Sequence, residues 1–149
     1  ELLEEAQFIF NNRIQEKQIH LEISRINQTA LIMADKDTLL HNVLNNVLSN
    51  AIKFTPQGGK IKIEVLNETE FHVLRVVDSG VGMTVEDIDK INAGKDLEST
   101  TGTDGEKGTG FGIDLIRNTM RTFAGEVVYA RDSEAGGTQV DLKFPKIAA

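Results

Sequence analysis

The 149-residue chain contains no cysteine, which excludes a disulfide framework, a thiolate nucleophile and a Cys-ligated zinc site. Its three histidines, His20, His41 and His72, are too scattered to form a metal motif. No apolar run approaches the ~20 residues of a membrane span, and the opening ELLEEAQ is acidic where a signal peptide is basic. The chain is therefore expected to be soluble and cytoplasmic, without direct membrane contact, although a longer parent could be membrane-anchored. Basic residues are in deficit as well. Sixteen Lys and Arg stand against 23 Asp and Glu, a formal net charge of -7, and a field of that sign repels nucleic-acid phosphates. What is present, 40% hydrophobic and 26% charged residues, suits one ordinary soluble domain long enough for a real core.

The stretch around which the rest is organised runs from Asp35 to Phe54. Leu39, Leu40, Val43, Leu44, Val47, Leu48, Ala51 and Ile52 come in pairs every four positions, the spacing of a helix that buries one broad face. Asp35 is placed to cap it and Thr55-Pro56 to end it. At about 100° per residue, Asn46, Asn50 and Lys53 fall within roughly 60° of each other at the edge of the apolar stripe. On a lone helix two carboxamides and an ammonium in that position also suit a solvated face.

Before this helix, Leu2 to Glu16 carries Leu3, Ala6, Phe10 and Ile14 at helical spacing. It opens without a cap, as it would if another segment preceded it. His20 to Ser24 alternates like a strand, and Ala30 to Met33 is a second short apolar run. After the helix, Gln57-Gly58-Gly59 turns the chain. Ile61, Ile63 and Val65 alternate with Lys60, Lys62 and Glu64, and Asn67-Glu68-Thr69 turns into a strand from Phe71 to Val77. That hairpin feeds into Asp78. Eight of the thirteen glycines then lie between Gly80 and Gly112, which means backbone that bends sharply, moves or closely approaches a ligand. A short helix is expected over Thr84 to Ile91 with Thr84 as cap, and Ala93 to Lys107 reads as a long mobile loop. A helix over Gly112 to Phe123 is stopped by Gly125, and strands Glu126 to Arg131 and Thr138 to Phe144 follow. The expected fold is α+β, a two-layer α/β sandwich with a mixed, mostly antiparallel sheet packed on helices.

Four short motifs stand in order: Asn50-Ala51-Ile52-Lys53-Phe54, Asp78-Ser79-Gly80-Val81-Gly82, Gly108-Thr109-Gly110-Phe111-Gly112 and Gly136-Gly137-Thr138. Together they resemble the N, G1, G2 and G3 boxes of the GHKL ATPases. Within that group, NVLSNAIKFTP with EKGTGFG ahead of a helix is similar to the ATP-binding catalytic domain of sensor histidine kinases. The resemblance covers nearly the whole chain, 1–149, as a single domain, and implies ATP and Mg²⁺ as cofactors. A carboxamide oxygen can ligate Mg²⁺ while the metal keeps waters and bridges phosphates, and the resemblance gives Asn50 that place. Asn46 sits where hydrolysing members have a glutamate that activates water; a carboxamide cannot accept a proton at neutral pH, so that base is missing. Lys53 is a candidate point cation for phosphate. Asn46, Asn50 and Lys53 form the implied catalytic set. Asp78 is implied to bind the adenine exocyclic amine, with Gly80 and Gly82 letting backbone come close and Thr138 adding a hydroxyl. Phe54, Ile52 and Met83 offer apolar walls that core packing would explain equally well. Gly108, Thr109, Gly110, Phe111 and Gly112 lead to a helix N-terminus suited to phosphates, with Leu115 in its first turns and Lys107 just upstream. Residues 93–109 correspond to the family's ATP lid.

Two departures stand out. The segment Ile91-Asn92-Ala93-Gly94-Lys95-Asp96 lacks the phenylalanines that many histidine kinases carry there. His20-Leu21, His41-Asn42 and His72-Val73 do not match a phosphoacceptor, which is a histidine followed by an acidic residue; that histidine is expected on a segment outside this chain. The implied function is to bind Mg-ATP and pass the γ-phosphoryl to a histidine on an adjoining dimerisation domain, in cis or across a dimer, with a response regulator downstream and the isolated domain monomeric. The alternatives are a non-catalytic nucleotide-sensing pseudokinase module and a GHKL protein-serine kinase of the anti-sigma type.

Overall fold

The computed structural model describes residues 2–25, 32, 34–80, 84–93, 111–131 and 136–146. Its elements are α1 (Leu2–Glu16), β1 (His20–Arg25), α2 (Lys36–Thr38), a π-helical segment (Leu39–Leu44), α3 (Asn45–Phe54), β2 (Lys60–Asn67), β3 (Phe71–Asp78), α4 (Val85–Asn92), α5 (Phe111–Thr122), β4 (Glu126–Arg131) and β5 (Thr138–Pro145). The five strands form one sheet in the order β1-β2-β3-β5-β4. Only β1 and β2 pair in parallel; the other neighbours are antiparallel. A parallel pair needs a long crossover, which the central helix supplies. The expected two-layer α+β sandwich is what forms. Most of the run Ala30 to Met33 lies outside the described residues.

The layers follow from strand alternation. Ile61, Ile63, Leu74, Val76, Val140, Leu142, Phe144 and Tyr129 share the core with Ala6 and Phe10 of α1 and Ile116 and Met120 of α5. Between Leu74 and Val76, Arg75 points the other way and grips Asp141 on β5 through two bonds of 2.8 and 3.1 Å. Those bonds hold the guanidinium still further toward its charged form.

The central helix is one continuous rod, yet it is not α-helical throughout. Asp35 caps it, accepting from the Thr38 N–H at 3.0 Å, but through Leu39–Leu44 it widens, and the Asn45 N–H reaches back five residues to the Leu40 carbonyl. A strict four-residue repeat drifts about 40° per step on a 3.6-residue helix, so three steps would rotate the apolar pairs by about 120°. A π turn, with more residues per turn, opposes that drift. All eight apolar residues from Leu39 to Ile52 are consequently buried, each worth about 1.5–3 kcal/mol for the larger side chains.

Gly125 ends α5 for a reason other than the one its position suggests. The left-handed residue is Ala124, φ 57°. Gly125 lies against β5, where a Cβ would overlap the Lys143 carbonyl oxygen.

Candidate functional site

At the carboxyl end of α3, Thr55 is fully buried and its hydroxyl donates to the Ala51 carbonyl at 2.6 Å. Two more terminal carbonyls, of Ile52 and Lys53, accept from the Lys17 ammonium at 2.7 and 3.2 Å, a cation where the helix dipole is negative. No sequence signal pairs Lys17 with a helix 35 residues on. The next carbonyl, that of Phe54, is covered by Gly80, where a Cβ would overlap it. The helix end thus rests on the backbone that follows β3.

Asp78 closes β3 opposite Ile61, and the register Val77↔Gln139 brings Thr138 beside it. Its side chain is only 6% exposed. Oδ1 accepts the Gly80 N–H at 3.0 Å and the Thr138 N–H at 3.3 Å, bonds of the kind a buried carboxylate needs. Gly137 packs so closely on Asp78 that a Cβ there would overlap the Asp78 carbonyl oxygen. Ser79 fixes the turn from the other side, accepting the Lys60 N–H at 2.8 Å and donating its own N–H to the Lys60 carbonyl at 2.9 Å. Residues from three separate motifs, Phe54, Asp78 with Gly80, and Gly137 with Thr138, therefore meet at one corner.

Asn46, Asn50 and Lys53 all lie in the regular α-helical part of the rod. Asn46 and Asn50 are half-buried. The Asn46 amide donates to the Asn42 carbonyl at 2.7 Å, committing its NH₂ to the backbone. Lys53 is not the solvated lysine of a polar face. It is 5% exposed, with its ammonium 4.6 Å from the centre of the Phe54 ring, a geometry that favours a cation. Leu115 is exposed on α5. Gly82, Met83, Lys107, Gly108, Thr109 and Gly110, and the expected lid beyond Ala93, lie outside the described residues; of Phe111 and Gly112 the helix backbone is described. The expected helix start at Gly112 is one residue late.

Among the described residues no group of three or more His, Asp or Glu could hold a metal ion by itself. Mg²⁺ does not require such a cage. It is commonly held by one or two protein oxygens, substrate phosphates and waters, and the half-buried Asn50 carboxamide suits that donor set.

The family model described as histidine kinase-, DNA gyrase B- and HSP90-like ATPase matches residues 35–148. The chain belongs to this ATPase family. Its relatives within the ATPase family include histidine kinases. It is 35% identical over 118 residues to histidine protein kinase DivJ of Caulobacter vibrioides, covering 78% of this chain and 19% of that protein. Its fold is that of the nucleotide-free catalytic domain of histidine kinase ThkA, with TM-score 0.81, 25% identity and coverage of 97% and 92% of the two chains. A structure of ThkA in complex with the response regulator TrrA aligns with TM-score 0.75 at 23% identity, covering 98% of this chain and 40% of that one. The chain spans 19–27% of the length of three curated relatives that it matches, DivJ among them. It is the ATP-binding catalytic domain type of the sensor histidine kinases.

Proposed function

We propose that this domain binds Mg-ATP at the corner where α3, Asp78 and the start of β5 meet, and that within a longer protein it donates the γ-phosphoryl to a histidine. The observation that carries this reading is the buried Asp78 carboxylate, oriented by the Gly80 and Thr138 N–H groups. A carboxylate is an acceptor only, and adenine offers it an exocyclic amine. Gly80 and Thr138 flank the base beside Phe54; Gly82 and Met83, outside the described residues, are assigned to base binding by the family resemblance alone. Asn50 would hold Mg²⁺, which when bound would supply charge neutralisation to the phosphates. Lys53 adds positive charge, and the phosphates lie toward the start of α5 at Phe111 and Gly112, with Leu115 in its first turns; Lys107, Gly108, Thr109 and Gly110, outside the described residues, are assigned to the phosphates by the family resemblance alone. Asn46 leaves the site without a general base, and its NH₂ is engaged by Asn42; water is not activated, and ATP is held for its acceptor.

Transfer then consists of positioning and charge stabilisation. An unprotonated imidazole nitrogen attacks the γ-phosphorus as the bond to the ADP oxygen breaks. The acceptor is the dimerisation domain of the same protein or of its dimer partner. A response regulator follows downstream, a reading supported by the solved complex of the homologous ThkA with TrrA. Among the described residues no helix is long and apolar enough to cross a membrane.

Calorimetric titration with a non-hydrolysable ATP analogue tests the metal assignment. Wild-type affinity is expected to rise about tenfold or more on adding Mg²⁺, a differential of ~1.4 kcal/mol or more, and Asn50→Ala to lose that rise while still binding the metal-free nucleotide. Equal Mg²⁺ dependence in the two proteins would remove Asn50 from the metal.

A further inference from the structure

The segment in which many histidine kinases carry phenylalanines reads Ile91-Asn92-Ala93 here, and its side chains do something a phenylalanine cannot. The Asn92 carboxamide lies along the edge of β4 like a short strand. Its NH₂ donates to the Tyr129 carbonyl at 2.9 Å and its oxygen accepts the Tyr129 N–H at 3.1 Å. Among the described residues β4 is the last strand of the sheet, so these are backbone groups on its outer edge, with no described strand on that side. Directly alongside, Arg117 of α5 donates to the Ile91 carbonyl at 2.8 Å and to Asp114 at 3.2 Å. The last turn of α4 is thereby tied to the sheet edge by one side chain and to α5 by another.

We infer that Asn92, with Arg117, is a positioning residue for phosphate binding: Asn92 anchors the end of α4 to β4, Arg117 anchors α5 to that same end, and together they fix where α5 begins. This rests on the reading above, in which phosphates lie at the start of α5. The tie is specific to the carboxamide, because only Asn or Gln presents a donor and an acceptor side by side. Aspartate would keep the bond from the Tyr129 N–H and set a carboxylate oxygen against the Tyr129 carbonyl. The base-binding corner at Asp78 depends on neither residue, so the effect divides along the nucleotide.

The test measures the affinity of wild type, Asn92→Ala and Asn92→Asp for a non-hydrolysable ATP analogue and for adenosine, by calorimetry and by NMR chemical-shift titration. Both variants are expected to lose about tenfold in affinity for the analogue, the loss of one or two hydrogen bonds, and to bind adenosine as wild type does. Arg75→Met, which breaks the Asp141 pair on the outer face of the sheet, serves as a control for lowered stability and should leave the analogue-to-adenosine ratio unchanged. An unchanged ratio in both Asn92 variants, or the same fall in Arg75→Met, overturns the inference while leaving the ATP site intact. A wild type that binds neither ligand overturns the ATP site itself, and this inference with it.

Discussion

Asp78→Asn is expected to lower affinity for adenine nucleotides by at least about 100-fold without unfolding the domain. The substitution is nearly isosteric, and an amide oxygen can still accept the Gly80 and Thr138 N–H groups that Oδ1 now accepts. What changes is the side chain's other end, where an acceptor becomes a donor. It would then face the adenine amine, donor against donor, in a site only 6% exposed. Losing a charge-assisted bond costs about 1.5–3 kcal/mol and stranding a buried donor about 1–3 kcal/mol more; each 1.4 kcal/mol is about tenfold. Calorimetric titration with ADP measures the loss, and circular dichroism confirms that the fold persists. Unchanged ADP affinity in a folded Asp78→Asn protein would put the base elsewhere.

The second large effect concerns stability. Gly137→Ala places a methyl on the Asp78 carbonyl oxygen, and both sides of that contact are backbone, one at the end of β3 and the other immediately before β5, so neither can rotate away. The start of β5 must shift, taking the Thr138 N–H from Asp78. A cost above about 3 kcal/mol is expected, in the range of severe core disruptions, and a fall in Tm of roughly 10 °C for a domain of this size. Gly136→Ala is the informative comparison. Its Cβ would meet nothing within 4 Å, but its φ is 76°, so it should cost only the ~1–2 kcal/mol of a left-handed L-residue. Melting curves that fail to separate the two would contradict the packing of Gly137 on Asp78.

The parts of this architecture that depend on neighbouring residues were legible in the sequence. Asp35 and Thr84 both cap the helices they precede, each accepting an N–H three residues on, and the Phe71–Asp78 strand pairs with Lys60–Asn67 as the Asn67-Glu68-Thr69 turn implies. The angular grouping of Asn46 and Asn50 survives because the π-helical turn lies upstream of both. That turn itself was not legible, since an α-helical period was imposed on pairs whose strict spacing of four already departs from 3.6. Nor were contacts between distant segments. Lys53, at the edge of the apolar stripe, also suited a solvated face, and nothing in the helix's own pattern marks it as 5% exposed. Lys17 on the α3 carbonyls and Asn92 on the edge of β4 carry no local pattern at all. Gly125 stops α5 as its position implies, but the left-handed residue is Ala124, and glycine is required at 125 by the closeness of the Lys143 carbonyl, a contact with no local pattern. The order of the strands likewise follows from packing, not from alternation.

Phosphotransfer from ATP to a histidine measures the proposed activity itself. The domain is mixed with a helical-hairpin domain bearing a phosphoacceptor histidine, with ATP radiolabelled at the γ-position and Mg²⁺. Label is expected on the hairpin, labile to acid and stable to base, and lost with Asn50→Ala and Asp78→Asn, with little free phosphate released by the catalytic domain alone. Steady phosphate release without the hairpin, or a nucleotide-bound domain that labels no histidine in any hairpin it is joined to, would contradict it.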